Sequence, residues 1–309
     1  MSLGTIFADL SHFGLIRFSG DDAQQFLNGQ LSCDVNSLEP LHARYGSYST
    51  PKGRMLASFL LWREAGVFFM QLPASMREAT QKRLAMYVLR SKVKAEDASG
   101  ARVMFGVAGR DAGAILTPLF AELPAEPLAL TSAGGANLLR LSADRYQIIA
   151  SPERAPALRN AVARGAAPVG AAAWDWLDIR AGIPFITPAT QDQFVPQMAN
   201  LDAIGGVSFN KGCYPGQEIV ARMHYLGRLK QRMYLARVAA NEAPRPGDKL
   251  YSADTGAQSC GMIVNAAAAP DGGFDMLAVM QIESAQRGDV HWNSPAGPPL
   301  KFLELPYKF

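Results

Sequence analysis

Residues 211–222 read KGCYPGQEIVAR, and no other part of the chain concentrates so many residues with special backbone or chemical properties. Gly212 and Gly216 free the backbone on either side of Cys213. Pro215 suits the first turn of a helix, where its missing N–H costs nothing. The residues after it can be helical, with Glu218 and Arg222 spaced i,i+4 on one face. The spacing therefore predicts a tight loop that delivers a cysteine just ahead of a helix N-terminus. Such an end carries partial positive charge, and Lys211 adds a full one; both favour thiolate over thiol. Residue chemistry alone leaves two readings open. Cys213 is either a reactive thiol or a small buried hydrophobe at an ordinary glycine turn.

Working outward, 309 residues with 49% hydrophobic content supply ample material for more than one core. The formal charge of +3 is mild, and no run of five or more Lys/Arg appears, so no nucleic-acid partner is expected. Cys33, Cys213 and Cys260 lie far apart with no CxxC pair, which excludes a disulfide framework and a cysteine metal site of usual spacing. The histidines His12, His42, His224 and His291 show no HExxH spacing, so no metal site is expected. No apolar run reaches the ~18 residues of a membrane span, and the expected setting is a reducing cytoplasm. No phosphate-binding GxxxxGK[ST], GxGxxG or GxSxG stands where it would be functional.

Taken in order, residues 13–18 read as a strand and DDAQQFLNGQL as a short helix. PKG at 51–53 predicts a turn into strands at 55–62 and 66–72. Residues 75–90 carry the clearest amphipathic pattern, with Met76, Ala79, Leu84, Tyr87 and Val88 at helical spacing. VKAED and ARVMFGVAG read as strands, residues 137–150 as a hairpin turning at Ala143–Asp144, and residues 152–165 as a helix. Residues 171–182 form a second helix with Trp174, Leu177 and Ala181 on one stripe and Asp178 and Arg180 flanking it. From Phe185 to Asn210, Pro, Gly, Asn and Gln predict a long structured loop. Beyond Arg228, short strands alternate with Gly/Pro turns, as expected of a separate small all-β unit. The class is α+β.

The segment 211–222 meets every fixed position of K-G-C-Y-x-G-Q-E-x-x-x-R and resembles the signature of the YgfZ family of folate-binding proteins. AGIP at 181–184, FVPQMANLD at 194–202, the GGVSFN lead-in and the N-terminal LSHFGLIRFSGDDAQQFLNGQLSCDV resemble the same family, so the likeness spans nearly the whole chain. The family is related in fold to the aminomethyltransferase (T-protein) of glycine cleavage. That relation implies three lobes around a central folate channel. Two α+β lobes would interleave within residues 1–228, roughly 1–45 with 140–228 and 46–139, and a β-barrel would occupy 229–309.

The resemblance implies tetrahydrofolate as ligand and a role in iron–sulfur cluster assembly or repair. Through cluster enzymes, that role would reach tRNA thiolation. Cys213 and Lys211 are the implied reactive residues, and Asp178, Arg180, Asn200, Tyr214, Gln217, Glu218 and Arg222 the implied folate contacts. Iron–sulfur proteins or assembly factors are the implied macromolecular partners. The alternative is a folate-dependent aminomethyltransferase of the T-protein type. Two departures bear on it. T-proteins carry a catalytic aspartate on the strand matching residues 53–61, where this chain has Ala57–Ser58, and general acid–base work needs a titratable group in reach. Relatives often place glutamate just before AGIP, where this chain has Arg180, a side chain with donors only. Arg180 would then contact an anionic part of the ligand or pair with Asp178.

Overall fold

The computed structural model describes residues 4–309. In chain order its strands and helices are β1 (Ile6–Asp9), β2 (Phe13–Ser19), α1 (Ala23–Asn28), β3 (Ala43–Ser49), β4 (Met55–Glu64), β5 (Val67–Pro73), α2 (Ala74–Ala85), β6 (Lys94–Asp97) and β7 (Val103–Ala108). There follow α3 (Ala112–Leu116), β8 (Leu130–Ala133), β9 (Ala136–Ser142), β10 (Arg145–Ala150), α4 (Ala155–Val162), β11 (Ala167–Val169), α5 (Ala171–Arg180) and α6 (Gln217–Tyr225). The C-terminal part holds β12 (Gln231–Val238), β13 (Lys249–Ser252), β14 (Ser259–Ala268), β15 (Phe274–Gln281), α7 (Ile282–Arg287), β16 (Val290–Trp292) and β17 (Leu300–Leu303).

One compact unit takes residues up to Phe26, Val35–Arg44 and Leu60–Trp174. Its larger sheet has the order β11-β1-β7-β10-β9-β8, antiparallel except where β1 runs parallel to β11. β10 lies at the centre of that order and is buried at every position. Apolar residues at helical spacing in α4, Ala155, Leu158 and Val162, cover the sheet with Leu116 and Phe120 against Phe105, Leu138 and Ile148. In the same unit β5 pairs with β2 and the second half of β4, and β2 pairs with β6.

The other unit takes Leu27–Asp34, Tyr45–Phe59 and Asp175–Phe309. Its C-terminal sheet, order β16-β13-β14-β15-β12-β17, is a curled half-barrel. Ala236, Val238, Leu250, Ile263, Met276, Met280, Val290 and Leu300 form its core, with Cys260 buried among them. The long segment between α5 and α6 is irregular but strapped down. Met55 N–H donates to Phe194 O at 2.8 Å, and Asp192 N–H to Met55 O at 2.8 Å. Gln191 Nε2 donates to Leu56 O at 3.0 Å.

Three expectations need correction. The amphipathic pattern predicts a helix to residue 90, but α2 ends at Ala85 and the chain passes through turns to Leu89, held at φ +48°. Tyr87 and Val88, weaker helix formers than the residues before them, carry the end of that pattern, and Tyr87 is exposed. In α5 the buried positions are Trp174, Asp178 and Ile179, so Asp178 lies on the buried stripe rather than beside it. Strands β3, β8 and β11 appear where the sequence shows no alternation strong enough to predict them.

Candidate functional site

The site grows from a turn packed against a turn. α6 starts behind Gly216, its N-cap, at φ +83°. Pro215 therefore precedes the helix instead of opening it, because the left-handed Gly216 lies between them. A Cβ on Gly216 would stand 2.5 Å from Gly53 Cα and 2.6 Å from Thr50 O. Gly53, at φ +73°, is pressed in turn against Ile219. The PKG turn at 51–53 and the loop ahead of α6 thus touch backbone to backbone, a closeness only glycine permits.

A second support lies under residues 205–211. Ser32 Oγ donates to Gly206 O at 2.7 Å and accepts from Ser47 N–H at 2.8 Å. Ser208 N–H donates to Ser32 O at 2.9 Å. Lys211 Nζ donates to Leu31 O at 2.7 Å and also to Asn28 O. Its ammonium lies 4.8 Å from the centre of the Tyr214 ring, a cation–π contact. Burial pulls the Lys211 pKa down to about 8, and the neighbouring Cys33 and Asp34 draw it partway back. Tyr214 is 6% exposed and its hydroxyl has no hydrogen-bond partner among the described residues. Burial first, then Cys33, pushes its pKa up to about 12.

The segment is therefore two-faced. Lys211 and Tyr214 turn inward onto the 28–33 turn, while Cys213 is exposed. Gln217 closes the loop, with Nε2 at 3.4 Å from Lys211 O and its N–H at 3.1 Å from Tyr214 O. Glu218 and Arg222 are exposed on α6, but no ion pair joins them; their i,i+4 spacing puts them on one face without bringing the charges together.

The remaining implied contacts are held elsewhere in this unit. Asn200 is fully buried at φ +57°, a conformation asparagine tolerates. Its Nδ2 donates to Met233 O at 2.8 Å and its Oδ1 accepts from Met233 N–H at 3.4 Å. Arg180 reaches neither Asp178 nor a free carboxylate: its Nη1 lies 3.7 Å from Asp275 Oδ2. Asp275 is fully buried and also accepts from Trp176 Nε1 at 2.8 Å and Arg237 Nε at 2.6 Å. A buried carboxylate needs this many donors, which explains why Arg180 is drawn to it.

The strand position of the missing acid is equally committed. Ala57 and Ser58 are buried. Ser58 Oγ donates to Pro184 O at 2.8 Å and accepts from Ile186 N–H at 2.9 Å. It staples the chain after α5 to β4.

Sequence reasoning missed Cys33 as a neighbour of Lys211 and Tyr214. Nothing in a separation of well over a hundred residues signals that contact. Cys33 is fully buried against Gly46, whose missing Cβ leaves the room its sulfur uses. Cys260 is buried in β14, where burial pushes its thiol up to about 11. Among the described residues no group of three or more His, Cys, Asp and Glu is arranged to hold a metal ion. No helix among them is long and apolar enough to cross a membrane.

Residues 4–141 match the model of the GCVT N-terminal domain family. The chain is 33% identical over 304 residues to the tRNA-modifying protein YgfZ of Sodalis glossinidius, covering 96% of this chain and 92% of that one. It is 34% identical over 243 residues to the tRNA-modifying protein YgfZ of Shigella boydii, covering 78% and 74%. Among solved structures, the glycine cleavage system aminomethyltransferase T from Bartonella henselae superposes with a TM-score of 0.80 over 98% of this chain and 86% of that one, at 19% identity. The α+β class expected from the sequence is that of this fold, and the expected C-terminal β-barrel is present as a curled half-barrel sheet.

Proposed function

We propose, from the premise that this chain belongs to the YgfZ family of tRNA-modifying proteins, that it is a tetrahydrofolate-binding accessory protein for iron–sulfur cluster assembly or repair. It acts in the cytoplasm, with Cys213 as its reactive group, and supports cluster-dependent enzymes, including those that thiolate tRNA. The observation that carries this reading is the two-faced 211–214 segment. Lys211 and Tyr214 anchor the loop while Cys213 is presented to solvent. A single cysteine cannot hold a cluster by itself, so a cluster handled here is cargo shared with a partner or small thiols.

Folate asks for a few polar groups for its pterin and cations for its glutamate tail. The buried, unpartnered Tyr214 hydroxyl fits the first need and the exposed Arg222 guanidinium the second. Asn200 and Arg180 fit less well, since their polar atoms are engaged by Met233 and Asp275. When bound, the folate supplies one-carbon carrier chemistry; these side chains bind and orient it. The aminomethyl-transfer alternative lacks support, because Ala57 has no titratable group and Ser58 is occupied by Pro184 and Ile186.

Calorimetric titration of the full chain with tetrahydrofolate tests the ligand. Saturable binding is expected, and Tyr214→Phe should weaken it roughly five- to tenfold, the worth of one neutral hydrogen bond. No heat at millimolar tetrahydrofolate would remove folate from the reading.

A further inference from the structure

Seven large hydrophobic side chains are exposed among the described residues, and two of them, Tyr225 and Leu226, are neighbours at the C-terminal end of α6 and its cap, whereas Ile219, in the first turn, packs on the Gly53 turn. Leu226 is 86% exposed and Tyr225 62%. Both sit where α6 ends, and the turn is closed by Leu226 and Gly227 N–H donating to Arg222 O at 2.9 and 2.8 Å. Isolated exposed apolar residues need no explanation, but a contiguous group does.

Phe209 stacks on His224 with ring centres 3.8 Å apart and planes 14° from parallel. Tyr225 meets both rings edge-on, at 4.7 Å from His224 and 6.2 Å from Phe209. Rings already packed on one another have little rotamer freedom left to lose when covered. Around it stand Arg222, Arg228 and Lys230, exposed and with no ion-pair partner among the described residues. Phe209 precedes Cys213 by only four residues, and α6 is nine residues long, about 14 Å. The patch and the exposed thiol thus belong to one short loop-and-helix module.

We propose that the C-terminal end of α6 is a docking surface for the iron–sulfur client protein itself, engaging an apolar patch rimmed by carboxylates, about one helix length from the loop that presents Cys213. This rests on the reading of the chain as an iron–sulfur accessory protein and adds to it the face and chemistry of the partner. Three cations with no ion-pair partner among the described residues call for negative charge on the occupant, which speeds encounter and fixes orientation. The aliphatic centre decides between occupants. An RNA strand would use the rings and the cations, but it gives Leu226 nothing to bury against. A protein surface covers all of them, and a small central cluster of this kind carries most of an interface's affinity.

The test uses the full chain and a purified cluster-bearing tRNA-thiolating enzyme as probe, with bulk tRNA as the second analyte. Wild type is expected to bind the enzyme. Leu226→Asp should weaken that binding roughly tenfold or more, the size expected for a central interface residue. Arg228→Glu with Lys230→Glu should weaken it comparably and flatten its salt dependence. Tetrahydrofolate titration and melting temperature, expected unchanged in both variants, report on folding. The proposal is overturned if the enzyme does not bind wild type, or if both variants bind it as wild type does. It is also overturned if bulk tRNA binds and the same variants abolish that binding, which would make the face an RNA surface.

Complementation of a deletion strain separates the two levels of the account. Loss of tRNA thiolation with both Cys213→Ala and Leu226→Asp supports both. Loss with Cys213→Ala alone removes the docking face and keeps the accessory role. Full function with Cys213→Ala removes the accessory reading itself.

Discussion

Strand β4 at Ala57–Ser58 and the loop at Lys211–Tyr214 lie in the same unit, and each is the place where one of two chemistries would have to happen. At β4 nothing is left over: the Ser58 hydroxyl donates once and accepts once, both to backbone. At the loop the work is divided. Lys211 spends its protons on backbone carbonyls, while Cys213 is spent on nothing and faces solvent. A polar side chain consumed by the fold cannot also titrate or attack at low cost, whereas one that the fold merely presents can. By that criterion the thiol is where the proposed chemistry would have to happen.

The comparison can be broken or sharpened in four ways, taken from the largest effect downward. In the native protein, Cys213 should be alkylated roughly 100-fold faster than Cys33 or Cys260, because buried thiols react only through opening of the structure. Mass spectrometry of time-quenched samples checks this, and comparable rates for all three would erase the contrast. Gly216→Ala should cost about 2–4 kcal/mol in urea unfolding, combining a left-handed residue with a Cβ driven into the Gly53 turn. Ser58→Ala should cost about 1–3 kcal/mol, since Pro184 O and Ile186 N–H lose a buried partner. A neutral result there would show the serine to be idle.

The fourth concerns Lys211. Its folded pKa lies below the ordinary lysine value of ~10.4, so between about pH 8 and that value the unfolded chain binds more protons than the folded one. Stability must then rise with pH across this window. Unfolding of wild type against Lys211→Met at pH 7.5, 9 and 10 should show wild type gaining on the variant as pH increases. The opposite slope would mean that the buried ammonium is held more tightly than its surroundings imply.

Local sequence made much of this legible. The loop ahead of α6, the hairpins at β4–β5 and β9–β10, helix α4 and the strands of the C-terminal part follow from turn residues and from periodicities of 2 and 3.6, whereas the short helix α7 breaks the all-β expectation for that part. Less legible was whatever depends on distant partners. β3, β8 and β11 exist because another strand lies beside them, and only tertiary pairing reveals that. Asp178 looks like a flanking charge until α5 is packed and buries it. The sequence offered Arg180 an anionic part of the ligand or its neighbour Asp178, and the carboxylate it lies against, Asp275, comes from a strand nearly a hundred residues away. The polar residues whose roles were hardest to foresee, Ser58 and Asn200, are those whose side-chain hydrogen bonds go to distant segments.

The measurement that bears most directly on the account is complementation of a deletion strain by wild type and by Cys213→Ala, scored as thiolated tRNA produced by cluster-dependent enzymes. The account predicts that Cys213→Ala, although folded and still binding tetrahydrofolate, restores almost none of the thiolation that wild type restores. Thiolation equal to wild type in the Cys213→Ala strain would contradict it.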